Sequence, residues 1–279
     1  EVNRLDTIPF PCDCNNVAPR LGIAYRLPGT WGIARTAYGV HYGEIFATTY
    51  GQVRMSPPGS YRVIVGAPDL RNPLGGITLR DIGPGFRAGI FDVSSNLTTP
   101  YSHQYNFSWE RELGRAAKLQ WGYVGSRTHK LFQMWFNNRA HVLPGIPQTT
   151  ATINQRRPNP NVLEVLRLLN GSRAYFDAGR LTLLAPRARG ISLDVSYWFS
   201  KSLDLGNDYT STLSGVDARQ GRSQSEDPVH ADLKGRSQFD QPHALLLRGS
   251  WEAPALGARR GGWRRLAGGW TLSGVFLLK

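Results

Sequence analysis

The chain has 279 residues, with 33 Lys and Arg against 20 Asp and Glu, a formal net charge of +13 and a pI near 10.2. That length suffices for one large β domain or two ordinary ones, and the basic balance implies anionic neighbours: nucleic-acid phosphates or acidic lipid head groups. No apolar run approaches the ~20 residues of a membrane-spanning helix, so any membrane role has to run through strands, and the first residues lack the basic and apolar regions of a secretion signal.

Punctuation by 31 Gly and 18 Pro, together with 8 Trp, 11 Tyr and 11 Phe, suits many strands joined by turns. Cys12 and Cys14 are the only cysteines, one residue apart. A zinc reading fails for want of a second ligand pair, while a local disulfide and two free thiols both remain open. Residues 16–27 alternate as a strand, Pro28-Gly29-Thr30 turns the chain, and residues 33–42 return with Tyr38, Val40 and Tyr42 on one side. Residues 43–99 are broken by prolines and glycines and read as loop, with a short strand at 61–65.

The strongest signal lies in residues 99–127. There Tyr105, Phe107 and Trp109 alternate with Gln104, Asn106, Ser108 and Glu110, and after the turn Gly114-Arg115-Ala116 the residues Leu119, Trp121 and Tyr123 alternate with Lys118, Gln120 and Gly122. Successive strand side chains face opposite sides of a sheet, so the segment is a hairpin with one aromatic and one polar face. Residues 137–161 read as irregular, and 162–169 fit a short amphipathic helix as well as a strand. A second hairpin spans 175–185 and 191–201, where Ile191, Leu193, Val195, Tyr197 and Phe199 alternate with Ser192, Asp194, Ser196 and Ser200. Residues 202–238 are polar and loop-like. Residues 239–254 and 266–279 restore strand character, the latter with Trp270, Leu272, Gly274, Phe276 and Leu278 on one face.

The pattern is short turns at one end, long polar loops at the other, and strands of about ten residues, which is the outer-membrane barrel signature. The fold class expected is therefore all-β, an antiparallel transmembrane β-barrel of about 8–10 strands belonging to a larger barrel. Long extracellular loops and short periplasmic turns go with it. A sheet of that size is strongly curved, with bare strand edges.

Seven phrases resemble the barrel of TonB-dependent outer-membrane receptors that carry a carboxypeptidase-regulatory-like domain before the plug (the Oar-like group). Residues 15–25, NNVAPRLGIAY, are similar to the family's NNF-APRLGFAY, and 35–43, RTAYGVHYG, to R-GYGIFYG. Residues 101–127 resemble PYSQQWNLSIQREL followed by a strand ending GYVGSRG, although 130–133, KLFQ, depart from the usual continuation. Residues 190–204 resemble G-----YTWSKSID, 237–243 S-FD--H, 251–254 YELP, and 266–274 L-GGWQLSG.

The resemblance implies one domain over residues 1–279, a partial receptor barrel whose plug, N-terminal domain and C-terminal strands lie outside this sequence. It implies a location in the outer membrane of a Gram-negative bacterium and energised uptake of a bulky substrate captured by loops 43–99, 132–161 and 202–238. The expected partners are outer-membrane lipid and lipopolysaccharide, an unidentified transported ligand, and TonB acting through the plug, with no nucleic acid, no cofactor and no catalysis. Trp109, Trp121, Trp251 and Trp270 are the expected membrane-interface aromatics. Gln104, Asn106, Glu110, Lys118, Gln120, Ser192 and Asp194 are the expected polar lining of the interior.

Asp204, Asp208, Asp217, Glu226, Asp227 and Asp232 crowd one loop with His230, but the spacing matches no calcium motif, and acids in a Ser/Gly-rich loop are usually solvated. The alternative to a barrel is a soluble β-sandwich that binds glycan or another surface polymer, its apolar faces covered by protein. A nucleic-acid-binding protein is a further rival, without a recognisable binding module.

Overall fold

The computed structural model describes residues 12–45, 69–76, 78, 89–114, 117–163, 165–188, 190–205, 234–253 and 269–279. Ten strands form one sheet: β1 (Arg20–Arg26), β2 (Ile33–Tyr42), β3 (Ile90–Val93), β4 (Tyr101–Leu113), β5 (Ala117–Phe136), β6 (Val165–Ala188), β7 (Ile191–Asp204), β8 (Gly235–Arg236), β9 (His243–Glu252) and β10 (Thr271–Leu278). The main path runs β1-β2-β4-β5-β6-β7-β9-β10, each neighbour antiparallel. β3 lies parallel to the start of β6, and β8 adds to the end of β7. Among the described residues β1 and β10 form the two edges and do not pair with each other. The only helix among them is a 3₁₀ helix, Thr150–Arg156.

The hairpins expected at 16–42, 99–127 and 175–201 are present, and three boundaries are corrected. Of residues 162–169, those from Val165 onward are strand, because β6 begins there and pairs both β5 and β7. The ligand-facing loop expected from residue 132 begins later, since β5 continues to Phe136 opposite Leu166, and the irregular region starts at 137 as expected. Within 43–99, β3 is strand rather than loop. The short strand at 61–65 and, of the acidic loop, Asp208, Asp217, Glu226, Asp227, His230 and Asp232 lie outside the described residues.

A strand crosses an outer membrane in about 9–11 residues. β2 and β9 have that length, whereas β5 has 20 residues and β6 has 24. Their surplus projects beyond the common sheet at the loop end. There Val93, Leu97, Phe132 and Leu168 form a small buried core, with Ile45 and Phe91 packed against it. The regular β5–β6 register holds from Lys118 to Thr128 and then shifts at Leu131 and Gln133. Lys130 takes a left-handed φ of 57° at this bulge. Asn170 secures it: its Nδ2 donates to the carbonyls of Lys130 (2.6 Å) and Thr98 (2.8 Å), and its Oδ1 accepts the Thr98 N–H (2.8 Å). Asp13 accepts the adjacent Thr99 N–H at 2.7 Å, and this bond holds its carboxyl below the usual range. Cys12 and Cys14, left open by the sequence, flank it as a disulfide.

The opposite end is closed by tight turns. Gly32 has φ +91°, and a Cβ there would overlap the Glu110 backbone carbonyl, so the β1–β2 turn can nest against β4 only with glycine. Gly29, in the same turn, has φ +62° but open space around it. Gly32→Ala is expected to cost about 1–3 kcal/mol, from positive φ and the collision together. Gly29→Ala is expected to cost less, and denaturant midpoints in detergent compare the two. Equal midpoints would refute the close packing of this turn on β4.

Candidate functional site

Register, rather than any pocket, organises the candidate site. One row of directly opposed residues runs Tyr25, Ala34, Trp109, Trp121, Leu181, Tyr197, Leu245 and Leu278 across eight strands, and parallel rows carry Phe107 opposite Tyr123 and Leu183 opposite Val195 and Leu247. One residue away the rows turn polar: Glu110 opposes Gln120, Gln120 opposes Thr182, and Thr182 opposes Ser196. In a soluble sandwich the apolar rows are buried. Here Leu181 is 49% exposed and Tyr197 41%, while their neighbours Thr182 and Ser196 are only 6% and 7% exposed. The polar side is the sunken one, and the apolar side faces outward.

All seven residues expected to line the interior fall on this polar face. Glu110, Lys118 and Gln120 come together: Glu110 pairs with Arg35 (2.9 Å) and Lys118 (2.8 Å) and accepts from Gln120 (3.4 Å), linking β2, β4 and β5. Glu110 and Lys118 also line a 540 Å³ cavity at the turn end with Arg26 and Gly32. Ser192 and Asp194 line a 740 Å³ groove with Arg248, Ser250 and the same Lys118, and Ser192 and Ser250 share a 2.6 Å hydrogen bond. Gln104 and Asn106 sit higher, beside a 330 Å³ hollow with Arg20 and His41. These are three patches on one wall and not a single site.

The four tryptophans fall on or beside the apolar face toward its turn end. Trp109 uses its indole N–H internally, donating to the Trp31 carbonyl at 2.8 Å, while the Arg111 guanidinium lies 4.9 Å over the Trp31 ring. Trp121, Trp251 and Trp270 are exposed. Sequence reading missed the counterpart at the loop end of the same face. Tyr38 and Tyr197 stack on His103 and His243, each phenol bonded to Nδ1 at 2.7 Å, and Tyr101 stacks on His129 at 5.3 Å between centroids. These pairs are diagonal cross-strand neighbours or depend on exact pairing, so alternation along one strand could not reveal them.

Two recurrent phrases acquire physical content. In residues 101–127, Gly125 leaves room for the Tyr105 ring, where any Cβ would overlap it. Arg127 Nη2 then donates to both Asp177 oxygens at 3.0 Å, its guanidinium lies over Tyr105 and Tyr175, and Tyr123 donates to Asp177 at 2.5 Å. In residues 237–243, the turn that delivers β9 is latched to β7. Ser237 N–H donates to the Ser202 carbonyl, Ser202 N–H donates to Asp240 Oδ1 at 2.7 Å, and Ser200 donates to Gln241 and Pro242 carbonyls.

Asp240 also pairs with Arg236 at 2.7 Å. The Ser202 N–H first, then Arg236, hold its carboxyl below the ordinary value of 3.8. A depressed carboxyl stabilises the latch at pH values above 3.8 and loses that contribution as pH falls through its folded value. Hydrogen exchange at the Ser202 amide is therefore expected to lose protection as pH falls below 3.8 in the native chain, and Asp240→Asn to show weaker protection at neutral pH without that acid step. An acid step retained in the Asn variant would assign the titration to another group.

The sequence matches the outer membrane beta barrel domain family over residues 4–279. No curated protein matches. Among solved structures, the outer membrane transporter YddB from Escherichia coli is similar, at 13% identity and a TM-score of 0.48, over 85% of this chain and 26% of that one. The chain thus spans about a quarter of that transporter's length. With matched residues covering nearly its whole length and an antiparallel sheet whose apolar side faces outward, the chain belongs to the outer membrane beta barrel domain family.

Proposed function

We propose that this chain is barrel wall from a TonB-dependent receptor of the group bearing a carboxypeptidase-regulatory-like domain, acting in energised uptake of a bulky substrate. The observation that carries the membrane part is the inversion of exposure between adjacent rows, Leu181 and Tyr197 outward against Thr182 and Ser196 inward. Lipid meets the first face and a hydrated interior the second. The receptor assignment is supported by the seven phrases, which occur in the family's order from residue 15 to 274. Two of them build the Arg127 clasp and the Asp240 latch.

On this reading the turn-end tryptophans and the loop-end Tyr–His pairs are the two aromatic girdles, and the Glu110, Gln104 and Asp194 patches line the interior against which a plug packs. The loop-end extension of β5 and β6, with β3 and the 137–163 segment, is the ligand-facing cap. Its conformation is set locally. Asn138 Nδ2 donates to the Asn159, Val162 and Leu163 carbonyls while its Oδ1 accepts the Asn159 N–H, and Arg156 and Arg157 reach the His141 and Asn138 carbonyls. Self-organised loops on a rigid sheet are suited to capturing a ligand.

Nitroxide labels test the lipid assignment in reconstituted membranes. Labels at positions 181, 183 and 193 are expected to be relaxed by oxygen, and labels at 120, 192 and 194 by a water-soluble nickel chelate. Protection of the first set from both reagents would mean that protein covers that face, as in a sandwich. Uptake is tested separately: a protonophore is expected to abolish intracellular accumulation of labelled siderophore, glycan or peptide while leaving surface binding intact. Accumulation indifferent to the proton gradient would overturn energised transport.

A further inference from the structure

We propose that the Cys12–Cys14 disulfide is a redox-sensitive clip: closed, it fastens residues 12–19 as a strap at the loop end of the sheet, and a dithiol reductant frees that strap from the cap. That this end faces the cell exterior rests on the membrane reading above, whereas the strap itself does not. Its path is the first argument. The strap precedes β1 and is tied down at successive points. The Pro19 carbonyl accepts the Val40 N–H at 3.0 Å, the Val17 carbonyl accepts the Tyr42 hydroxyl at 3.2 Å, and Asp13 Oδ2 accepts the Thr99 N–H at 2.7 Å. It thereby reaches from the end of β2 to the residues that lead into β4.

The last tie meets the β5–β6 bulge. Thr98, beside Thr99, donates its N–H to Asn170 Oδ1, and its carbonyl accepts from Asn170 Nδ2, which also donates to the Lys130 carbonyl. Leu97, the next residue, is fully buried in the small core with Phe132 and Leu168. Asp13 therefore anchors the strap at the junction where bulge and core meet.

Ring size is the second argument. A cross-link stabilises a fold by restricting the unfolded chain, and that effect shrinks with the length of the loop it closes. Cys12 and Cys14 enclose only Asp13, so their bond contributes little to the fold as a whole. What it restricts is the backbone of the residue whose carboxylate holds Thr99. Asn16 Nδ2 supports the same turn by donating to the Asp13 carbonyl at 2.9 Å. Both cysteines are exposed, so a reductant reaches them without unfolding the chain. One thiolate of a dithiol attacks a cysteine sulfur, the S–S bond breaks and a mixed disulfide forms; the second thiol then displaces that cysteine. Cys12 and Cys14 end as two thiols, having gained two electrons and two protons, and the reductant leaves as its cyclic disulfide. With the Asp13 backbone released, the Thr99 amide loses its fixed acceptor and the cap loses this tie.

Protein extracted from outer membranes in mild detergent is compared with and without dithiothreitol by alkylation and hydrogen exchange. Iodoacetamide is expected to leave both cysteines unmodified before reduction and to alkylate both after it. Reduction is expected to speed exchange at the Thr99 amide about tenfold, the scale of a hydrogen bond to a charged group, and at Thr98 by less. The Ser202 amide, at the Asp240 latch, is expected to be unchanged. Cys12→Ser/Cys14→Ser is expected to show the fast Thr99 exchange with or without dithiothreitol, and Asp13→Asn to weaken Thr99 protection with the disulfide intact. Alkylation without reduction, Thr99 exchange indifferent to reduction, or equal acceleration at Ser202 overturns the clip, the last because it marks general loosening. A protein that carries no detergent belt defeats the membrane reading and leaves the clip standing, whereas a belted protein whose Thr99 ignores reduction defeats only the clip.

Discussion

Register parity is the constraint on which the rest of this structure depends. A one-residue slip between any two neighbouring strands moves every side chain of one strand to the opposite face, so Leu181 and Tyr197 would exchange places with Thr182 and Ser196. An apolar medium cannot forgive that slip, because it offers no water to solvate misplaced hydroxyls and leaves no unpaired backbone group satisfied. The sheet obeys this demand closely. From Lys118 to Thr128 on β5, and along the whole of the β2–β4, β4–β5 and β7–β9 pairs, the register is unbroken. Irregularities occur only at the two ends, beyond Thr128 and between Ala185 and Ala188.

The position of the bulge therefore carries meaning. Once β5 has passed the apolar band its side chains are free to serve a protein core, and the shift at Leu131 re-aims the strand so that Phe132 meets Val93, Leu97 and Leu168. A left-handed Lys130 is the local cost. Asn170 offsets it with three hydrogen bonds from one side chain, presenting an amide that pairs with Thr98 as a backbone unit does. The same device recurs at Asn138, whose amide organises the 137–163 segment. Beyond the membrane, carboxamides take over the ordering that hydrogen-bond ladders perform within it.

What the sequence disclosed follows the range of the forces involved. Alternation is a property of adjacent residues, so the two faces of β4, β5 and β7 could be assigned from the chain alone. Residues 162–169 could not, since VLEVLRLL satisfies helical and strand spacing alike and only pairing with β5 decides between them. The Arg127–Asp177 clasp lies fifty residues apart in sequence, and the Tyr38–His103 stack sixty-five. No local pattern announces either. The GYVGSR and S-FD--H phrases were visible as resemblances, yet the reasons for them, a glycine vacating space for Tyr105 and a carboxylate bonding the Ser202 amide, emerge only once partner strands are in place.

The edges of the sheet extend the same logic. β10 has the sequence TLSGVFLL, without a charge, proline or bulge to blunt its outer side, and β1 places Leu21, Ile23 and Tyr25 on the apolar face with no further strand paired to it among the described residues. Sheets that end in water usually protect such edges with lysine, proline or a covering loop. These two strands instead keep the apolar row, with Leu21, Ile23 and Tyr25 on β1 and Leu272, Phe276 and Leu278 on β10, while the other face of β10 mixes Thr271 and Ser273 with Val275 and Leu277. A sequence so patterned is matched to neighbours on both sides, and in a bilayer its unpaired amides carry a penalty that side chains cannot remove. Any strand that pairs at these edges satisfies those amides and extends the apolar face.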